Sequence, residues 1–194
     1  MAYLLNYPLA GAKTPESEET PVAPFTGPTP NADMLRNHLT TLRISEKPTQ
    51  QLSSGGDIEL ITAKMGIKVS SLIKQSFPNI RMQFTGGNDL YHQQITGYSS
   101  RHKRAQALDF TVKNSSGGAL PYTYINQVED ILQKVAVANN PNFRYINEYL
   151  NPTKKATGKH FHISWGFGTE GQTELDAANK KYKNLSNISN YSIS

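Results

Sequence analysis

The sequence predicts an α+β fold: a mainly antiparallel sheet with two packed helices and an extended N-terminal arm. Two segments, one after Ser53 and one after Pro121, repeat apolar residues at helical spacing. Four short segments, at 80–84, 107–112, 143–149 and 160–165, have the alternation or apolar density of strands. In chain order these give helix, strand, strand, helix, strand, strand, which suits one α+β domain.

Residues 1–52 form the predicted arm. Pro8, Pro15, Pro21, Pro24, Pro28, Pro30 and Pro48 sit there among polar residues, a composition that cannot bury enough apolar surface to fold alone. One stretch, 33–42, can make a turn or two of amphipathic helix through Met34, Leu35 and Leu39. Such an arm is expected to pack on protein partners within a larger assembly. The domain proper spans 53–170. Ser54 and Asp57 are candidate caps for the first helix, whose apolar face would be Ile58, Ile61, Met65, Val69 and Leu72. Phe77 and Pro78 close it. The strand at 80–84 runs into the loop Thr85–Asp89, and the strand at 107–112 into the turn Asn114–Gly118. Pro121 opens the second helix, with Ile125, Val128, Leu132 and Val135 on one face. The last two strands flank the loop Asn151–Gly158, and residues 171–194 read as a short helix and a tail.

The chain has no cysteine, which excludes disulfides, thiolate metal sites and a cysteine nucleophile. A transition metal would have to be held by carboxylates and by His38, His92, His102, His160 or His162. A net charge of +5 suits an anionic partner, although ordinary solubility charge explains it as well. No basic block is long enough for a nucleic-acid tail, and no run is long enough to insert in a membrane. The N-terminus lacks the basic and apolar regions of a signal peptide.

The chemistry concentrates in two short motifs. In His160-Phe161-His162, strand alternation puts both imidazoles on one face and Phe161 on the other. In the segment 100–109, His102 precedes by seven residues an aspartate, Asp109, within an apolar strand. Burying that carboxylate is costly unless it is paired or metal-bound. Taken singly, each residue has a plain structural explanation: a loop histidine, a strand-end carboxylate, a cross-sheet hydrogen bond. Together, two His and one Asp leave a fourth position for water, the open arrangement of a catalytic zinc site.

These residues resemble the zinc D-Ala-D-Ala peptidases and phage L-alanyl-D-glutamate endopeptidases, which share a fold with the hedgehog signalling domain. Ser100, His102, Ala107 and Asp109 match the pattern S-x-H-x-x-G-x-A-x-D, and His160-Phe161-His162 resembles the branch ending in H-x-H. The resemblance covers roughly residues 55–166. It implies a zinc ion (Zn2+) on His102, Asp109 and His162, with His160 assisting proton transfer or steadying an oxyanion. It also implies a peptide of bacterial peptidoglycan as substrate.

Three departures matter. Ala105 stands where the pattern has glycine, which asks for a slightly different loop. Lys159 stands where another branch has its catalytic Glu; Glu148, on the preceding strand, could substitute if the strands pair suitably. The arginine often found after the first strand is replaced by Thr85–Asp89, so Arg101 or Arg104 could take its role. Ser100, Arg101, Asp89 and His92 are the candidates for substrate contacts, solvated loop residues being the alternative for Asp89 and His92. The expected function is a zinc metallopeptidase acting on the cell wall from a phage tail or baseplate, anchored by its arm. The alternative is a structural virion protein with a peptidase-derived domain, since the hedgehog branch keeps its zinc as a binding module.

Overall fold

A computed structural model describes residues 23–95, 100–152 and 158–194. They form an α+β domain: five helices and a five-stranded, mainly antiparallel, open sheet, with a short 3-10 turn near the end. The strands are β1 (Ser45–Glu46), β2 (Arg81–Gly86), β3 (Ala107–Lys113), β4 (Phe143–Asn147) and β5 (Phe161–Trp165). Their order across the sheet is β1-β2-β3-β5-β4, and only the pairing of β1 with β2 is parallel.

Alternation gives this sheet two unlike faces. Met82 and Phe84 of β2, Leu108, Phe110 and Val112 of β3, Phe143 and Tyr145 of β4, and Phe161 and Ile163 of β5 enter one core. Two helices cover that face: α2 (Leu60–Ser76) and α4 (Tyr122–Ala138). From α2 the core takes Ala63, Met65, Val69 and Ile73; from α4 it takes Ile125, Val128, Leu132 and Val135. Ile61 and Leu72 are only half-buried, so the buried stripe of α2 is rotated from the one read in the sequence. The opposite face carries Asp109 and Thr111 of β3, His162 and Ser164 of β5, and Arg144 of β4.

The predicted arm does not extend to residue 52. Helix α1 (Pro30–Thr41) begins with Pro in its first turn and buries Ala32, Leu35 and Leu39 completely or nearly so. It packs on α2, and β1 then adds to the sheet edge beside β2. Asp57 accepts hydrogen bonds from the backbone N–H groups of Asn31 (3.1 Å) and Ala32 (2.9 Å), so it caps α1 and not the helix that follows it. Residues 1–22 lie outside the described residues, as do 153–157 of the predicted loop between β4 and β5.

Two further elements complete the domain. Helix α3 (Leu90–Ile95) occupies part of a segment read as loop, and Ser54 accepts a hydrogen bond from its Leu90 N–H. Helix α5 (Gln172–Tyr182) packs Leu175 and Ala178 against α4 and β4, so it belongs to the domain rather than to a tail. The terminal turn is tied to the end of α4 by Asn139, which bonds Tyr191 O and Ile193 N. No helix among the described residues is long and apolar enough to cross a membrane.

Candidate metal centre

Antiparallel pairing of β3 with β5 sets Asp109 directly opposite His162. Their side chains leave the same face of the sheet, and His162 Nδ1 lies 2.8 Å from Asp109 Oδ1. His102 arrives from the turn before β3. That turn is closed by Ala105, which adopts the left-handed conformation (φ 61°) that a glycine takes without strain. The Ala105 carbonyl then accepts from Glu59 N and Thr62 Oγ1, docking the turn on the start of α2. The substitution of alanine for glycine therefore leaves the turn intact and His102 in place. His102 Nε2 lies 3.3 Å from both Asp109 Oδ1 and His162 Nδ1.

Two more imidazoles face the same carboxylate. His160 Nε2 is 3.7 Å from Asp109 Oδ1, and His92 Nε2 is 3.5 Å from Asp109 Oδ2. On three of the rings the other nitrogen hydrogen-bonds an outer acceptor, and on His162 it lies against a carboxylate without hydrogen-bond geometry. His102 Nδ1 faces Gly87 O (2.9 Å), His160 Nδ1 faces Gly158 O (2.8 Å), His92 Nδ1 faces Asp89 (2.7 Å), and His162 Nε2 faces Glu170 (2.9 Å). Outer acceptors of this kind fix the tautomer of metal-binding histidines and aim the inner nitrogen. Four of the five histidines are thus held in one arrangement around Asp109. The fifth, His38, is remote from them and bonds Ser71.

Close packing makes this possible. His92 stacks on His102 with centroids 3.8 Å apart. An irregularity in the β2–β3 pairing brings Gly86 opposite Asp109. A Cβ at Gly86 would stand 2.8 Å from His92 Cε1 and 2.9 Å from Asp109 Oδ2, so any side chain there would push the ring and the carboxylate apart.

The electrostatics follow from burial and pairing. Burial opposes charge on Asp109, but the attraction and hydrogen bonds of His102 and His162 outweigh it and hold its carboxyl well below the usual range. His102 moves the other way: burial pushes its pKa down, which keeps the imidazole in the neutral, ligating form. Burial also works against a charge on His162, yet its contacts with Asp109 and Glu170 raise its pKa to about 10. Glu170, half-buried beside it, is drawn down to about 2 by His162 and Arg101 against the cost of its partial burial.

The donor atoms of His102, Asp109 and His162 are close enough together to hold a metal ion, two of their three separations suiting a tetrahedral ion of zinc's size and the third, the His162–Asp109 hydrogen bond, being shorter. A tetrahedral ion with bonds of about 2.0–2.1 Å needs donors roughly 3.3–3.4 Å apart; these lie 3.3, 3.3 and 2.8 Å apart. Asp89, His92 and His102 also come close enough to surround an ion. There the two Asp89 oxygens already accept from Gly87 N, His92 N and His92 Nδ1, so Asp89 serves His92 as an orienting carboxylate.

The other candidates fall into place around this centre. Glu148 meets the condition set for it: its N–H bonds His160 O, and its Oε2 is 3.2 Å from His160 Nε2. A cleft beside the cluster is lined by Thr85, His92, Asp109, Thr111, Lys159 and His160. Asp89 is fully buried and supports His92 from behind, so it does not line that cleft. Ser100 is half-buried at the start of the His102 turn. Arg101 is buried and bonds the carbonyls of Trp165 and Phe167 together with Glu170, so its guanidinium is turned to that loop. Glu170 is the site residue that the sequence did not reveal. It lies eight positions beyond His162, in a turn where no periodicity relates the two. No family model, curated protein or solved structure matches this chain.

Proposed function

We propose that the protein is a metal-dependent amide hydrolase, and more narrowly a zinc peptidase acting on the peptides of bacterial peptidoglycan. The observation that carries the first step is the donor triangle of His102, Asp109 and His162, buried at the edge of a cleft and close enough together to hold a metal ion. The narrower step is supported by the resemblance of the segment 100–109 and of His160-Phe161-His162 to the wall peptidases, and by a net charge of +5 that suits an anionic wall.

A zinc ion held there supplies Lewis-acid activation of a carbonyl and of water. The chain supplies the rest. His160, fixed through Nδ1 by Gly158 O, presents Nε2 at the cleft beside Glu148. This imidazole is placed to take a proton from an attacking water and pass it to the departing amine, with Glu148 stabilising the charge it gains. His92, held by Asp89, forms the opposite wall of the cleft. We further propose that the protein works from a phage tail or baseplate through the proline-rich segment ahead of α1; a composition that cannot bury enough apolar surface to fold alone supports this.

Release of new amino groups from purified peptidoglycan tests the reading. The zinc-loaded protein is expected to release them, and Asp109→Ala to lose at least 100-fold of that rate, roughly the loss when a group acting on the transition state is removed. A zinc-loaded protein inert on walls of several chemotypes would instead favour a structural role.

A further inference from the structure

We propose that Glu170 is a positioning residue for the metal ligand His162, and that Arg101 ties it to the neighbouring ligand His102. The proposal rests on the metal-centre reading above and adds to it a support that spans two ligands.

His162 turns Nδ1 toward Asp109 and His102, so its Nε2 points outward into buried space. Glu170 Oε1 lies 2.9 Å from that nitrogen, an ion-pair contact whose angle falls short of a hydrogen bond. The second oxygen, Oε2, is 2.5 Å from Arg101 Nε. Arg101 is the residue immediately before His102, and only 4% of it is exposed. Its two remaining nitrogens donate to Trp165 O (2.6 Å) and Phe167 O (2.8 Å), in the loop that follows His162 on β5. A chain of contacts therefore runs from one ligand, through Glu170 and Arg101, to the backbone of the other.

The loop is shaped around this guanidinium. Gly166 and Gly168 have φ of 118° and 146°, and a Cβ on either would stand 2.8 or 2.9 Å from an Arg101 nitrogen. An exposed ion pair would not need such a wrapping. A planar fork bonding two carbonyls and a carboxylate does, because each of its donors must find its acceptor in a buried site. The carboxylate is thereby fixed on the outer nitrogen of His162. Carboxylates in this position orient the ring and raise its basicity, and losing one costs about 10–100-fold in metal affinity.

The test is zinc affinity, measured by chelator competition at fixed pH, with the visible spectrum of the cobalt-substituted protein as a second readout. Glu170→Gln keeps the shape and is expected to weaken zinc binding about tenfold; Glu170→Ala is expected to approach 100-fold. Arg101→Lys, which keeps the charge and loses the fork, is expected to weaken binding although it touches no ligand. In a Glu170→Ala background it should add little, since both act through one contact. Circular dichroism and melting of the chelator-treated variants check that each is folded. Zinc affinities within twofold of wild type for Glu170→Gln and Arg101→Lys, while Asp109→Ala loses zinc, would overturn this proposal and leave the metal centre standing. Wild type and Asp109→Ala binding zinc equally would overturn the metal centre, and this proposal with it.

Discussion

At the scale of single residues, His162 would make the proposed metal binding pH-dependent in a defined direction. Its pKa is raised from 6.5 to about 10, so a metal must displace a proton to reach Nδ1. Zinc affinity should therefore rise about tenfold per pH unit through neutral pH, a slope that chelator competition at several pH values would show. In chelator-treated protein the same group contributes stability that is full below 6.5 and is lost as pH climbs toward 10. Glu170, lowered from 4.5 to about 2, contributes stability above 4.5 that is lost as pH falls toward 2. The melting temperature in chelator should accordingly be highest between about 4.5 and 6.5, and Glu170→Gln should flatten the acid side. Ala105 gives a further test. Its left-handed backbone costs an alanine about 1–2 kcal/mol, part of which a glycine would give back as greater freedom when unfolded. Ala105→Gly should stabilise by about 0.5–1 kcal/mol in denaturant melts. That Asp109 and His162 meet on one face was legible at this scale because strand alternation fixes direction. Glu170 was not, since a turn carries it and turn spacing fixes nothing; the sequence marked Asp89 and His92 as candidate substrate contacts, but not their bond to each other.

At the scale of elements, the proline-rich composition of residues 1–52 concealed a helix and a strand. Pro30 sits where helices accept it, in the first turn, so it starts α1 and does not prevent it. The capping residue comes from Asp57, outside the helix, which local reading assigned to the nearer helix. Leu35 is fully buried against α2, and Leu35→Ala should cost about 2–5 kcal/mol in denaturant melts. A loss under about 0.5 kcal/mol would mean that α1 is not part of the cooperative unit. Asp57→Ala should cost about 1 kcal/mol through the unsatisfied helix N-terminus. The two long helices and four of the strands were legible because each buries one regular face. The six-residue α3 is too short to show a period.

At the scale of the molecule, α2 and α4 cover one face of the sheet and the candidate metal-binding residues occupy the other. That division follows from the alternation in β3 and β5, where Leu108, Phe110, Phe161 and Ile163 alternate with Asp109 and His162. Fold class was readable from the order of elements, but the order of strands was not. Placing β5 between β3 and β4 depends on long-range pairing that no local signal encodes. The same placement unites Asp109 with His162, which lie 53 positions apart in the chain.

Strands β3 and β5 are interior to the sheet, with a partner on each side. Releasing either means breaking two ladders and uncovering the core beneath, so their amides should open to solvent only with the whole domain. Deuterium uptake at Asp109 and His162 should then be the slowest in the protein, while α3, which carries His92, should exchange well before it. A molecule built this way keeps Asp109 and His162 still and leaves any yielding to α3 and the turn that bring His92 and His102. What enters the cleft must adjust to a fixed floor, and the walls do the moving.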